Sequence, residues 1–170
     1  MIPLQITTGD ITHIKVDAVV NAANNQMRGG GGVDGAIHRA GGPQVLADCI
    51  RRFPRGLATG DAGYTTAGGL PARWIIHTVG PNYRAGERDR NLLVSCYHRS
   101  LQVAEQLGAR TIAFPLISAG VYGWPKADAI RVAIETITRA DVPIAQAYLV
   151  GFHRTDTELM RVIARDISAA

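Results

Sequence analysis

Six short runs rich in β-branched and aromatic residues, at positions 4–7, 16–20, 62–66, 74–79, 111–116 and 147–152, alternate with stretches whose apolar residues recur at helical spacing. This alternation constrains the fold more than any other feature. Strands separated by helical crossovers pair in parallel, and a parallel sheet is covered on both faces. The expected fold class is therefore α/β, a three-layer α/β/α arrangement around a mixed, largely parallel sheet. One helical stripe follows Pro43 and comprises Val45, Leu46, Cys49, Ile50 and Phe53. A second comprises Leu93, Tyr97, Leu101 and Ala104, with Gly108 placed as its C-terminal cap. A third, Ile130, Ala133, Ile134 and Ile137, is opened by Pro125 in its first turn, and a fourth runs through Leu159, Ile163 and Ile167 behind Thr155 and Glu158 at capping-box spacing.

At 170 residues, 46% hydrophobic and 19% charged, the chain suits one domain spanning 1–170, able to bury roughly two-thirds of its unfolded surface. The first ten residues lack a basic cluster followed by an apolar run, and no stretch approaches the ~20 apolar residues of a membrane span. A cytoplasmic monomer with no membrane partner is expected. Cys49 and Cys96 lie far apart among apolar residues and lack the paired spacings of a zinc site, so two buried free thiols are expected and no metal. The net charge of +4 comes from scattered Arg and Lys. It favours an anionic ligand such as a nucleotide, while the scatter argues against a dedicated nucleic-acid stripe.

Two segments carry chemistry. In the first, a buried strand runs into Asn21, Ala22, Ala23, Asn24 and Asn25, then Gln26, Met27 and Arg28, then four consecutive glycines, Gly29 to Gly32, and a helical run over 33–40. Glycines let backbone N–H groups approach an anion closely, and a following helix N-terminus favours phosphate. Gly30, Gly32 and Gly35 satisfy a dinucleotide fingerprint, but that motif belongs directly after a strand, and residues 21–29 intervene. No phosphate loop of the triphosphatase type is present. The second segment, 114–125 (FPLISAGVYGWP), joins a strand to a helix and carries Gly120, Tyr122, Gly123 and Trp124. Two such loops can close over one ligand. Ser118 is no nucleophile elbow, because position 116 is Leu, and none of His13, His38, His77, His98 or His153 is placed by sequence as its base.

These residues resemble a MacroD-type macrodomain over nearly the whole chain, through Gly9-Asp10-Ile11-Thr12, DAVVNAAN at 17–24, GGGGVDGAIHRAGG at 29–42, LPARWIIHTVGP at 70–81, and 113–125. The resemblance implies ADP-ribose bound in a cleft at the strand ends, with no cofactor. It implies that Asp10 accepts from the adenine amino group, with the Ile11 backbone beside it, and that Phe152 packs on the adenine face. Gly30, Gly31, Gly32 and Val33, together with Ser118, Ala119, Gly120, Val121 and Tyr122, would cradle the pyrophosphate, with Arg28 adding charge nearby. Asn24 and Asp34 match the family's catalytic positions, the amide orienting a ribose hydroxyl and the carboxylate positioning or deprotonating water. Ala119, Trp124 and 25–28 depart from the family's commoner residues and bear on rate and specificity. The resemblance implies hydrolysis of esters on the distal ribose: removal of mono-ADP-ribose from acidic side chains of proteins, and deacetylation of O-acetyl-ADP-ribose. The alternatives are a non-catalytic module that reads ADP-ribose, and binding of RNA or poly-ADP-ribose through the basic surface.

Overall fold

The computed structural model describes residues 1–170. Strand β2 (Ala18–Ala23) is buried along almost its whole length, which requires a neighbour on each edge and a layer on each face. Both are present. With β1 (Leu4–Thr8), β3 (Ala62–Thr66), β4 (Trp74–Val79), β5 (Thr111–Phe114) and β6 (Gln146–Gly151) it forms one six-stranded sheet in the order β1-β6-β5-β2-β4-β3. Every pairing is parallel except edge strand β3 against β4.

Alternating side chains send Val19, Ile75, Val79 and Ala113 to one face, against Ile37 of α1 (Gly32–Gly41) and Val45 and Cys49 of α2 (Pro43–Arg52). The opposite face buries Ala18, Val20, Ile76, Ile112 and Phe114 against α3 (Arg90–Leu107), α4 (Lys126–Arg139) and α5 (Arg154–Ala169). The three-layer expectation holds, and both cysteines are free and buried.

Several boundaries differ from expectation, each for a local reason. β2 begins and ends later than the run 16–20, because Asn21 to Ala23 keep pairing with His77 to Val79 of β4. β5 stops at Phe114, where Pro115 offers no N–H to a ladder. β6 stops at Gly151, leaving Phe152 72% exposed. Pro125 is the N-cap of α4 instead of a first-turn residue. No capping box forms on α5, whose N-cap is His153, so that Thr155 already lies inside the helix. On α2, Leu46 and Ile50 are 36% and 50% exposed, because the helix turns Val45, Asp48 and Cys49 inward.

Asp48 explains that rotation. Its Oδ2 accepts from the Thr66 N–H of β3 at 2.8 Å, and its carboxylate also takes the Arg52 Nε–H at 3.0 Å and the Arg51 guanidinium. The carboxylate thus braces α2 to the sheet edge. Burial works against its charge, but the Thr66 N–H and the two arginines outweigh burial and hold its pKa below the usual 3.8. A contribution from a lowered pKa is full above the unfolded value and is lost as pH falls through the folded one. Asp48→Ala should cost about 1–3 kcal/mol in urea titrations at pH 7, by stranding the Thr66 N–H. The gap to wild type should hold down to about pH 4 and narrow below it; a gap of the same size in strong acid would contradict the brace.

Candidate active site

The sheet order creates a crevice between the adjacent strands β2 and β5. From the carboxyl end of β2 the chain passes to α1 on one face, while from β5 it passes through 115–125 to α4 on the other. Connections that part in this way leave a cleft at the strand ends where ligands bind in open α/β sheets. Here the cleft has a volume of about 370 Å³ and is walled by Ala22 to Asn24, Gly30 to Asp34, Gly80, Pro115 to Ser118, and Gly120 to Tyr122. A wider, more open hollow of about 570 Å³ runs beside β3 and includes Arg51, Arg52 and Arg73. It surrounds the Asp48 brace and lies away from the crevice.

The glycines give the first wall its shape. α1 has Gly31 as N-cap and no side chain capping its first turn, so those N–H groups are available to an anion. The loop folds back onto its own helix: a Cβ on Gly35 would sit 2.6 Å from the Gly30 carbonyl oxygen. A Cβ on Gly30 would be 3.2 Å from both Asn24 Nδ2 and Asp34 Oδ2, so both side chains lie close beside one glycine. Asn24 also holds the turn, its Nδ2 donating to Gly29 O at 3.2 Å and its Oδ1 accepting from the Gln26 N–H at 3.2 Å.

Asp34 is buried in the first turn of α1, and its two oxygens have different surroundings. Oδ1 accepts from Asn21 Nδ2 at 2.7 Å and lies 3.4 Å from His38 Nε2. Oδ2 faces Gly30 in the cleft wall. Behind Asn21 stands His77 of β4, its Nδ1 at 3.1 Å from the same Asn21 nitrogen and its Nε2 at 2.8 Å from Thr65 Oγ1. Burial, with His38 nearby, pushes the His77 pKa down to about 3, so the ring is neutral. Sequence reasoning missed Asn21, His38 and His77. The signal for His38 was its position four residues after Asp34 on a helix. His77 gave none, because its partners come from other strands.

The second wall is suspended from the opposite layer. Buried Tyr97 of α3 accepts from the Ile117 N–H through its hydroxyl at 3.0 Å, and the Trp124 N–H closes the loop on Ser118 O at 2.9 Å. Ser118 adopts a left-handed conformation with φ 67°, and its buried Oγ has no protein partner. Gly80, at the end of β4, has no room for a Cβ against that oxygen. Val121 is 78% exposed at the rim. Burial and the nearby carboxylates of Glu87 and Asp34 raise the Tyr122 pKa.

The structure thus gathers Asn24, Gly30, Gly31, Gly32, Val33, Asp34, Ser118, Gly120, Val121 and Tyr122 around one cleft. Asp10, Ile11 and Phe152 stand apart from its walls, at the carboxyl ends of β1 and β6, where the Gly9 N–H donates to Gly151 O at 3.0 Å. Asp10 Oδ1 accepts from the Thr12 hydroxyl and N–H at 2.7 and 2.9 Å, which hold its pKa below 3.8. Its Oδ2 has only His13, at 3.7 Å. Ile11 is buried. Three residues of these loops have their side chains engaged elsewhere. Ala119 packs toward the core and is absent from the cleft wall. Arg28 spends its guanidinium on the carbonyls of Gln26, Met27, Phe53 and Pro54, tying the loop to the end of α2. Trp124 is buried, with Nε1 donating to Asp128 Oδ2 at 3.0 Å.

A switch-point cleft lined by open N–H groups, with one carboxylate and one amide at its wall, defines a three-layer α/β protein suited to a phosphate-bearing ligand. The Macro domain model matches residues 20–133, and the chain belongs to that family. It is 53% identical over 156 residues to a macro domain-containing protein of Streptomyces coelicolor, covering 89% of this chain and 92% of that one. It is 50% identical over 169 residues to the O-acetyl-ADP-ribose deacetylase of Salmonella typhimurium, covering 95% and 92% respectively. Among solved structures, a mutant Oceanobacillus iheyensis macrodomain with ADPR superposes with a TM-score of 0.93 at 35% identity, covering 98% of this chain and 94% of that one.

Gly31 is the position that best tests the cleft, since a Cβ there meets nothing within 4 Å. Gly31→Glu should leave the melting temperature nearly unchanged while its carboxylate repels a pyrophosphate, weakening ADP-ribose binding by roughly 100-fold or more in calorimetry. Unaltered affinity would remove the glycine loop from the binding site.

Proposed function

We propose that the protein binds ADP-ribose in this cleft and is a hydrolase of esters on the distal ribose. The observation that carries the reading is the gathering of Asn24 Nδ2 and Asp34 Oδ2 beside Gly30, in the wall of a cleft with open helix N–H groups. The deacetylase name carried by relatives at about half identity over most of the chain supports the same reading. Its substrates are O-acetyl-ADP-ribose and proteins bearing mono-ADP-ribose on acidic side chains. Both carry the ester on the same sugar, and in both water splits it into ADP-ribose and a carboxylic acid.

Each group has a defined task. The open N–H groups at Gly31 and Gly32 take the pyrophosphate, with the second loop closing over it. Asn24 keeps one amide hydrogen beyond its bond to Gly29 O, which it offers to the distal ribose without adding charge. Asp34 Oδ2, fixed because Oδ1 is tied to Asn21, accepts from the attacking water. At the far end, Asp10 Oδ2 accepts from the adenine amine and Phe152 covers the ring.

Asp34→Ala should lower turnover of O-acetyl-ADP-ribose by a factor on the order of 10² to 10⁴. Affinity for ADP-ribose should change only a few-fold, since a carboxylate near a pyrophosphate repels it. A chain modified on Asp or Glu, assayed in parallel, tests the protein substrate. Wild type that releases product from neither substrate faster than Asp34→Ala would leave a protein that reads ADP-ribose without cleaving it.

A further inference from the structure

We propose that His77 is a positioning residue for the hydrolytic site: held as its Nε2–H tautomer by Thr65, it fixes the Asn21 amide that aims Asp34 into the cleft. This rests on the hydrolase reading above. None of these residues but Asp34 lines the cleft. Asn21, Thr65 and His77 are buried, and together with Asp34 they form a continuous polar chain from edge strand β3 through β4 and β2 to α1.

The direction of every hydrogen bond in the chain follows from its two ends. At the outer end, the Thr65 hydroxyl donates to Thr66 O at 3.0 Å, so its oxygen is left to accept from His77 Nε2–H. A neutral imidazole protonated on Nε2 presents a lone pair on Nδ1, which accepts one hydrogen of Asn21 Nδ2. At the inner end, Asp34 Oδ1 takes the other hydrogen of the same nitrogen. Flipping the amide would set its oxygen against the Asp34 carboxylate oxygen or, at His77, against the bare Nδ1 lone pair, acceptor facing acceptor in either case. The arrangement also accounts for the orphaned Asn21 Oδ1: the two bonds of Nδ2 fix the amide's orientation, and Oδ1 is left buried where no donor faces it. With the amide locked, Asp34 Oδ1 is engaged and Oδ2 is left for the cleft.

Thr65→Val keeps the side-chain shape and removes only the hydroxyl that selects the tautomer. Turnover of O-acetyl-ADP-ribose should fall roughly 10- to 100-fold, as expected when a reacting group is misplaced slightly. Affinity for ADP-ribose should stay within about twofold, and Thr65→Ser should restore turnover; a purely structural role would lower the melting temperature without this split between kcat and binding. Nitrogen-15 NMR of His77 in the wild type should show Nε2 protonated and Nδ1 bare, with the Nδ1–H form appearing in Thr65→Val. A folded Thr65→Val with wild-type kcat, or a wild-type His77 protonated on Nδ1, overturns the proposal. If Thr65→Val does not fold, the wild-type tautomer decides alone. A wild type that hydrolyses no ester defeats the hydrolase reading instead, an outcome recognised before any variant is compared.

Discussion

The close approach of the glycine loop to its own helix is the contact on which the site depends. Gly35 lies so near the Gly30 carbonyl that any side chain there would push the loop away. Because the loop lies flat on α1, Asn24 from just beyond β2 and Asp34 from the first turn of α1 are both brought close beside Gly30, although ten positions separate them in sequence. The same fold-back leaves the N-terminus of α1 uncapped by any side chain, open toward the cleft. One constraint, the absence of two Cβ atoms, thus produces both an anion site and a juxtaposed carboxylate and amide.

Rigid elements hold the two loops in place, each from its own layer of the fold. Arg28 ties the first loop to the Phe53 and Pro54 carbonyls, a cation placed where the end of α2 offers negative dipole. Tyr97 reaches from α3 to the base of the second loop, and Trp124 anchors its far end in the core through Asp128. The cleft therefore opens between two independently braced walls, with the central sheet as its floor. Arg28 and Trp124, both of which have the chemistry of ligand-binding side chains, are used for this bracing instead.

The deepest polar feature is the buried chain behind Asp34. Four uncharged or carboxylate groups in a sheet interior are costly unless each finds a partner, and here only Asn21 Oδ1 and, in the second wall, Ser118 Oγ do not. Both orphans sit beside the cleft machinery, one on the residue that holds Asp34 and one on a residue that lines the cavity. Local imperfection is thus concentrated where a ligand is to be handled, as expected where binding geometry has priority over satisfaction of every group.

The sequence by itself determined the class of fold, because alternation of strand and helix periods is a local property that survives without knowledge of contacts. It also determined the two loops, since consecutive glycines and a Gly-aromatic run have few structural uses. It exposed Asn24 and Asp34 only through family resemblance, for neither residue type is distinctive alone. The tertiary structure decided what depends on convergence: that α2 turns Asp48 inward and leaves Ile50 out, that Ala119 faces the core, that Arg28 is spent on carbonyls, and that Phe152 stands free beyond β6. It alone revealed Thr65 and His77 as partners, two buried polar residues on neighbouring strands that nothing in the local pattern joins. The physical reason is that a side chain's role is set by the groups facing it, and in a parallel sheet those groups come from segments distant in sequence, which no local pattern records.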